Sequence, residues 1–313
     1  MTEPLRPMST GQLLDHTFTL YRKHFLLFVG IATVGPAANM IFQLLTVGSN
    51  IGTPFRPRGG ATGPAVFAQL GLSMFFGYII MLAGMALSHA ATVKAVTAVY
   101  LGHGITIAGA YKALRGRILS LFGTFGLILL WVALAVIGIA VVAIPVFIGI
   151  AATGRSSPGP MRAIASGLAV IVIAFSIFAV IAVYIRYALA IQACVIENLG
   201  PSDSLSRSVI LTKGSRRRVV VIYVIFMLLN MILAAGLAGI AGAFGAMLHN
   251  RIAAAVLVYL AGFVAGSLTG PLATIGLSLL YYDERVRKEA FDLQLMLSTL
   301  DIPPVTMELP AQA

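Results

Sequence analysis

Residues 133–150 read ALAVIGIAVVAIPVFIGI, eighteen positions without one charged or amide side chain. Transmembrane strands run as alternating segments of about ten residues, whereas this stretch is apolar on every side, the pattern of a helix surrounded by lipid or protein. Working outward, the run reaches from Ile118 to Ile150, longer than the roughly 20 residues that cross about 30 Å of hydrocarbon. Five further runs behave alike: Phe25 to Val47, Ala65 to Tyr100, Met161 to Glu197, Val219 to Leu248 and Ile252 to Tyr282. The 313-residue chain is 59% hydrophobic and 10% charged, against about 25% charge in soluble domains, so a fused soluble catalytic domain is excluded. The fold class expected is all-α, a polytopic membrane protein with six transmembrane helices. The first run is too long for a signal-peptide h-region of about 7–15 residues and reads as a retained span.

Lys and Arg set the orientation. On one side fall Arg6, Arg22, Lys23, Lys94, Lys112, Arg115, Arg117, Arg207, Lys213, Arg216, Arg217, Arg218, Arg285, Arg287 and Lys288, fifteen in all. The other side holds five, Arg56, Arg58, Arg155, Arg162 and Arg251. Both termini are therefore expected in the cytoplasm of a cell whose plasma membrane holds the chain. All ten acidic residues fall on the same inner side, and tyrosines such as Tyr21, Tyr100, Tyr111, Tyr187 and Tyr282 gather there as an interfacial belt does. The chain reads as one membrane domain over 1–313: a cytoplasmic amphipathic helix in 1–24, a six-span bundle in 25–282, and a cytoplasmic C-terminal helix and tail in 283–313. The net charge of +11 then belongs to a membrane face, not to nucleic acid.

An amphipathic segment precedes each odd-numbered span. Leu14, Phe18, Tyr21 and Phe25 carry a helical stripe; Ile107, Tyr111, Leu114 and Ile118 repeat it 93 positions on, and Leu205, Val209 and Thr212 begin it again 98 later. Arg22, Arg115 and Lys213 recur with it. Ser9 and Gln12 form a capping-box pattern at the first copy, and Pro201, Ser202 and Asp203 open the third. The pattern predicts three units, each an interfacial helix plus a hairpin, related by an axis along the membrane normal.

Arg207, Lys213, Arg216, Arg217 and Arg218 are the candidate contacts for anionic lipid headgroups, each worth about 1 kcal/mol near a surface; the plainer reading makes them topology signals. No Asp or Glu lies inside the runs apart from Glu197 at the end of the fourth, so no carboxylate relay is expected. His89, Lys94 and Arg186 sit late in their runs and read as structural, and Asn39, Gln43 and Asn230 read as interhelical hydrogen bonders. The five histidines lack H-x-x-x-H spacing and Cys194 stands alone, so no metal site, nucleophile or cofactor is expected. Asp283 and Glu284 read as a solvated helix start. Gly262, Gly266 and Gly270 recur every four residues on the sixth span, as Ala235, Gly239 and Ala243 do on the fifth, and these small faces are predicted to meet, with Pro271 bending the sixth helix.

Several short blocks carry a resemblance: Leu5-Arg6-Pro7 with Gly11 to Asp15, Phe18, Leu20 and Tyr21-Arg22; Arg186 to Ala190; Glu197 to Pro201; Leu205 to Ser208; Leu211 to Gly214; and Leu280 to Asp283 with Arg287 to Glu289 and Asp292. Through them the chain resembles prokaryotic integral-membrane proteins of unassigned activity that are grouped with the membrane domain of glycerophosphoryl diester phosphodiesterases. The resemblance implies a six-span bundle. Where that domain is fused to a phosphodiesterase barrel the barrel carries catalysis; this chain reads without one, so the enzyme's activity does not carry over. The function expected is a non-enzymatic membrane module that contacts anionic lipid or partner proteins through its basic cytoplasmic face. The alternative is a transporter or channel for a small uncharged or lipidic solute, with a membrane-embedded lipid enzyme a distant third.

Overall fold

A computed structural model describes residues 7–51, 64–153 and 159–290. Arg6, Arg56, Arg58, Arg155 and the tail from 291 onward lie outside the described residues. All regular structure among the described residues is helical: α1 (Thr10–Lys23), α2 (Phe25–Ala32), α3 (Val34–Ile51), α4 (Pro64–Tyr100), α5 (Ile107–Lys112), α6 (Ile118–Thr153), α7 (Gly159–Arg186), α8 (Ala190–Ile196), α9 (Pro201–Thr212), α10 (Arg216–Met247) and α11 (Arg251–Glu289). Six segments are long and apolar enough to cross a membrane: Phe25–Leu45, Met74–Tyr100, Ile118–Pro145, Val170–Ile196, Arg216–Met247 and Ile252–Glu289.

Two spans are interrupted where the sequence reads continuously. The first breaks at Thr33, between α2 and α3, because Pro36 has no N–H for the carbonyl of Ala32 and its ring crowds that turn. The orphaned oxygens find donors elsewhere: Ser88 Oγ reaches Ala32 O at 3.2 Å, and Tyr111 Oη donates to Ile31 O at 2.6 Å. Burial of that phenol pushes its pKa up to about 12. The fourth span, read as one run to Glu197, ends as α7 at Arg186, and a tight turn leads into the separate, buried α8. Pro271 lies inside α11, which continues through it.

The spans close a ring in chain order, α3 to α4, α6, α7, α10, α11 and back to α3, and α4, α8 and α11 also touch one another at its centre. Burial is uneven along the spans. Leu13, Phe28, Val93, Leu121, Leu189, Leu211, Ile222 and Tyr281 share one core at the end of the bundle where α1, α5, α8 and α9 lie. Toward the other end the side chains are exposed, as at Trp131, Ile137, Phe175, Phe178, Met231 and Phe244, and the most apolar windows of α6 and α7 hold no buried residue. α1 docks its buried Leu13, Thr17 and Tyr21 on the bundle, capped by a reciprocal Ser9–Gln12 box, and Tyr21 Oη donates to Leu268 O of α11 at 2.7 Å.

The small faces predicted for the fifth and sixth spans do not meet. Ala235, Gly239, Ala243 and Gly262 are exposed. A Cβ added at Gly262 or Gly270 would find open space, and one at Gly266 would find Pro36 of α3 at 3.1 Å. α10 and α11 do pack together, through other residues. Near the turn, a Cβ on Gly245 would run into Ala254, its Cα 2.5 Å away; deeper, Asn230 Nδ2 hydrogen-bonds Thr269 Oγ1. The register of the hairpin is set by the short 248–250 turn, where Asn250 caps α11 by accepting from Ile252 N and Ala253 N, and that register turns the repeated glycines away from α10.

Candidate functional site

The charged end of the bundle is organised by the last two turns of α11. These are not a solvated helix start: α11 is unbroken from Arg251, and Asp283 and Glu284 are 1% and 3% exposed. Uncompensated, such carboxylates would be costly to bury. Arg218, in the first turn of α10, supplies the compensation, with its Nη1 at 2.5 Å from Asp283 Oδ2 and 3.0 Å from Glu284 Oε1. Arg287 adds a second bond to Asp283 at 2.8 Å, one helical turn on, and Lys288 lies 3.2 Å from Glu284. The N-terminal segment is drawn into the same cluster: Met8 N donates to Asp283 Oδ1 at 2.6 Å, and Met8 O accepts from Arg218 and Arg287 at 2.8 and 2.7 Å. Lys288 Nζ also donates to the carbonyls of Leu211 and Lys213, at 2.5 and 2.8 Å, where α9 ends and its unpaired oxygens need donors.

A second network adjoins the first. Arg207 of α9 donates to Glu197 at the end of α8, 2.8 Å from Oε2, and its Nη1 stands 2.5 Å from Glu289 of α11. Hydrogen bonds from Arg207 to Glu289 and Glu197 raise its pKa further above the usual arginine range. Arg285 lies 3.4 Å from Glu197 and 3.2 Å from Glu289, and Tyr281 Oη donates to Glu197. Together the two networks oppose five cations, Arg207, Arg218, Arg285, Arg287 and Lys288, to four carboxylates, Glu197, Asp283, Glu284 and Glu289.

This geometry divides the five basic residues proposed from the sequence. Arg207 and Arg218 spend their guanidinium donors on internal carboxylates. Lys213, Arg216 and Arg217 are exposed and stand outside the ion pairs. Around the same end Arg22, Lys23, Lys112 and Arg115 are also exposed. The exposed acids there are Asp15 and Asp203, since the remaining described carboxylates are consumed by the networks. What emerges is a strongly positive rim around a nearly neutral, interlocked centre.

The sequence reading missed Glu197, Asp283, Glu284 and Glu289 as organising groups. A partial signal was present: Asp283/Arg287, Glu284/Lys288 and Arg285/Glu289 are all spaced i, i+4, the pairing distance on a helix. The partners on α8, α9 and α10 lie 65 to 88 positions away in sequence and leave no local pattern. Cys194 is buried on α8, and Arg186 lies over the Tyr187 ring at 5.9 Å. No family model matches the chain, and no curated protein or solved structure is found to be similar to it.

Proposed function

We propose that the chain is a non-enzymatic, multi-pass protein of the cell membrane, with both termini in the cytoplasm, that holds anionic lipid headgroups against its positive rim. The observation that carries this reading is the separation of charge: four carboxylates are internally paired, while Lys213, Arg216, Arg217, Arg22, Lys23, Lys112 and Arg115 remain exposed at one end. Cations at the ends of apolar helices sit where headgroup phosphates lie, and each contributes about 1 kcal/mol. The resemblance to the membrane domain of glycerophosphoryl diester phosphodiesterases fits a module without chemistry of its own.

A threefold arrangement of the bundle belongs to the same proposal. Helices α1, α5 and α9 each precede an odd-numbered span; α1 packs on α11, α5 on α4, and α9 on α8 and α6 with a lesser contact to α7. The mutual contacts of α4, α8 and α11 support such an arrangement of parallel repeats. The rim would then be built from three copies of one basic position, Arg22, Arg115 and Lys213.

The test is lipid preference in nanodiscs of equimolar phosphatidylglycerol and phosphatidylcholine, read by native mass spectrometry of the released protein. Replacing Lys213, Arg216 and Arg217 together by Gln is expected to reduce the phosphatidylglycerol preference by about 1 kcal/mol per charge, and added salt should mimic the effect. An unchanged preference would overturn the proposal.

A further inference from the structure

A cavity of ≈ 100 Å³ lies inside the bundle where the α6–α7 hairpin meets α4, α8, α10 and α11, several times the space one ordered water needs. Its lining combines neutral polar groups, among them His89, Tyr184, Gln192, Tyr223 and Thr274, with apolar ones such as Ala273, and contains no Asp, Glu, Lys or Arg. Gln192 is 3% exposed, yet its Oε1 accepts no hydrogen bond. A buried acceptor left unmet is costly, so the site is one hydrogen-bond donor short. His89 spends Nδ1 on Thr274 Oγ1 at 2.8 Å, which leaves Nε2 as a second group without a partner.

The surroundings give the ligand its shape. Tyr223 lies seven residues into α10, about 10 Å along its axis at 1.5 Å per residue, just beneath the level of the exposed rim. Tyr184, which also lines the cavity, is 48% exposed on the outer surface of α7, so the cavity communicates with the lipid-facing side of the bundle. Beyond it α6 and α7 present predominantly apolar, unburied surface, with Ser176 spending its hydroxyl on Val172 O of its own helix. A head placed in the cavity thus has a greasy path for its tail along the hairpin.

We propose that this cavity binds the head of a neutral, hydroxyl-bearing single-chain amphiphile of the monoacylglycerol class, with one hydroxyl donating to Gln192 Oε1 and the polar lining around His89 receiving the other. A phosphorylated head is disfavoured, because no cation lines the cavity to compensate a buried charge. The site is independent of the basic rim and rests on different residues.

The probe is 1-oleoylglycerol, titrated onto the 313-residue chain in mild detergent and followed by native mass spectrometry beside 1-oleoylglycerol 3-phosphate. A saturable one-to-one adduct with 1-oleoylglycerol is expected, weakened at least tenfold by Gln192→Leu, which removes the acceptor, and by Ala273→Trp, which fills the space. The phosphate should bind the unaltered cavity at least tenfold more weakly. Replacing Lys213, Arg216 and Arg217 by Gln should leave 1-oleoylglycerol binding as it was, which separates this site from the rim. Gln192→Leu also retires an unmet buried acceptor, so its melting temperature should not fall, and lost binding cannot then be charged to misfolding. The proposal is overturned by the absence of an adduct, as a cavity holding only water would give, by an adduct that survives both variants, or by equal affinity for the two probes.

Discussion

Arg217 and Arg218 are adjacent in sequence and opposite in fate. Arg217 is exposed; Arg218 meets Asp283, Glu284 and the Met8 carbonyl together. Removing one partner of a buried ion pair leaves the other uncompensated, at a cost of about 3–5 kcal/mol. Arg287 stays beside Asp283 and Arg218 is itself partly exposed, so Arg218→Gln should fall at the lower end, about 3 kcal/mol. Arg217→Gln should stay within about 0.5 kcal/mol. Unfolding in mixed micelles of dodecyl maltoside and SDS measures both, and equal losses would mean that the network contributes nothing. At this scale residue type was legible in the sequence: a basic cluster after the fourth span is plain. Which cations remain available was not, because Asp283 and Glu284 reach Arg218 only after the two spans of the α10–α11 hairpin have folded back on each other.

Gly245 and Gly276, and not the repeated glycines, are where α10 and α11 come close. Where no Cβ intervenes at Gly245, the α11 backbone at Ala254 comes close, and close approach of small residues is what draws helices together in lipid. Gly245→Leu should therefore open the hairpin and lower the detergent melting temperature by several degrees, whereas Gly262→Leu, whose Cβ would meet nothing, should leave it unchanged. If both melt alike, the approach at Gly245 is not what holds the pair. The existence of every span was readable from composition, since lipid demands the same apolar length wherever a helix crosses. The rotation of α11 about its axis was not, because a stripe of glycines marks a smooth face without saying which neighbour meets it. The break at Thr33 was hidden for a related reason: Pro36 is tolerated in membrane helices when other groups satisfy the freed carbonyl, and only the fold brings Ser88 to Ala32.

For the molecule as a whole, the charged end and the apolar end define two sides, and the topology proposed from the charge asymmetry puts the first in the cytoplasm. Cys194 is buried, so background labelling should be low. His103→Cys, in an exposed loop of the charged end, and Leu248→Cys, at the α10–α11 turn, report on opposite sides. In intact cells a membrane-impermeant maleimide should label position 248 and spare 103; the reverse pattern would invert the proposed topology. The network around the end of α11 also has a consequence in time. Met8 is held by Asp283, 275 positions later, and Arg207 and Arg218 wait for partners on the same late turns. At roughly 5–20 residues per second of synthesis, the first helix leaves the ribosome roughly a quarter of a minute to a minute before the residue that pins it exists. The nascent chain must keep its earlier spans inserted and unlatched for that interval, and the bundle locks as its last two turns emerge.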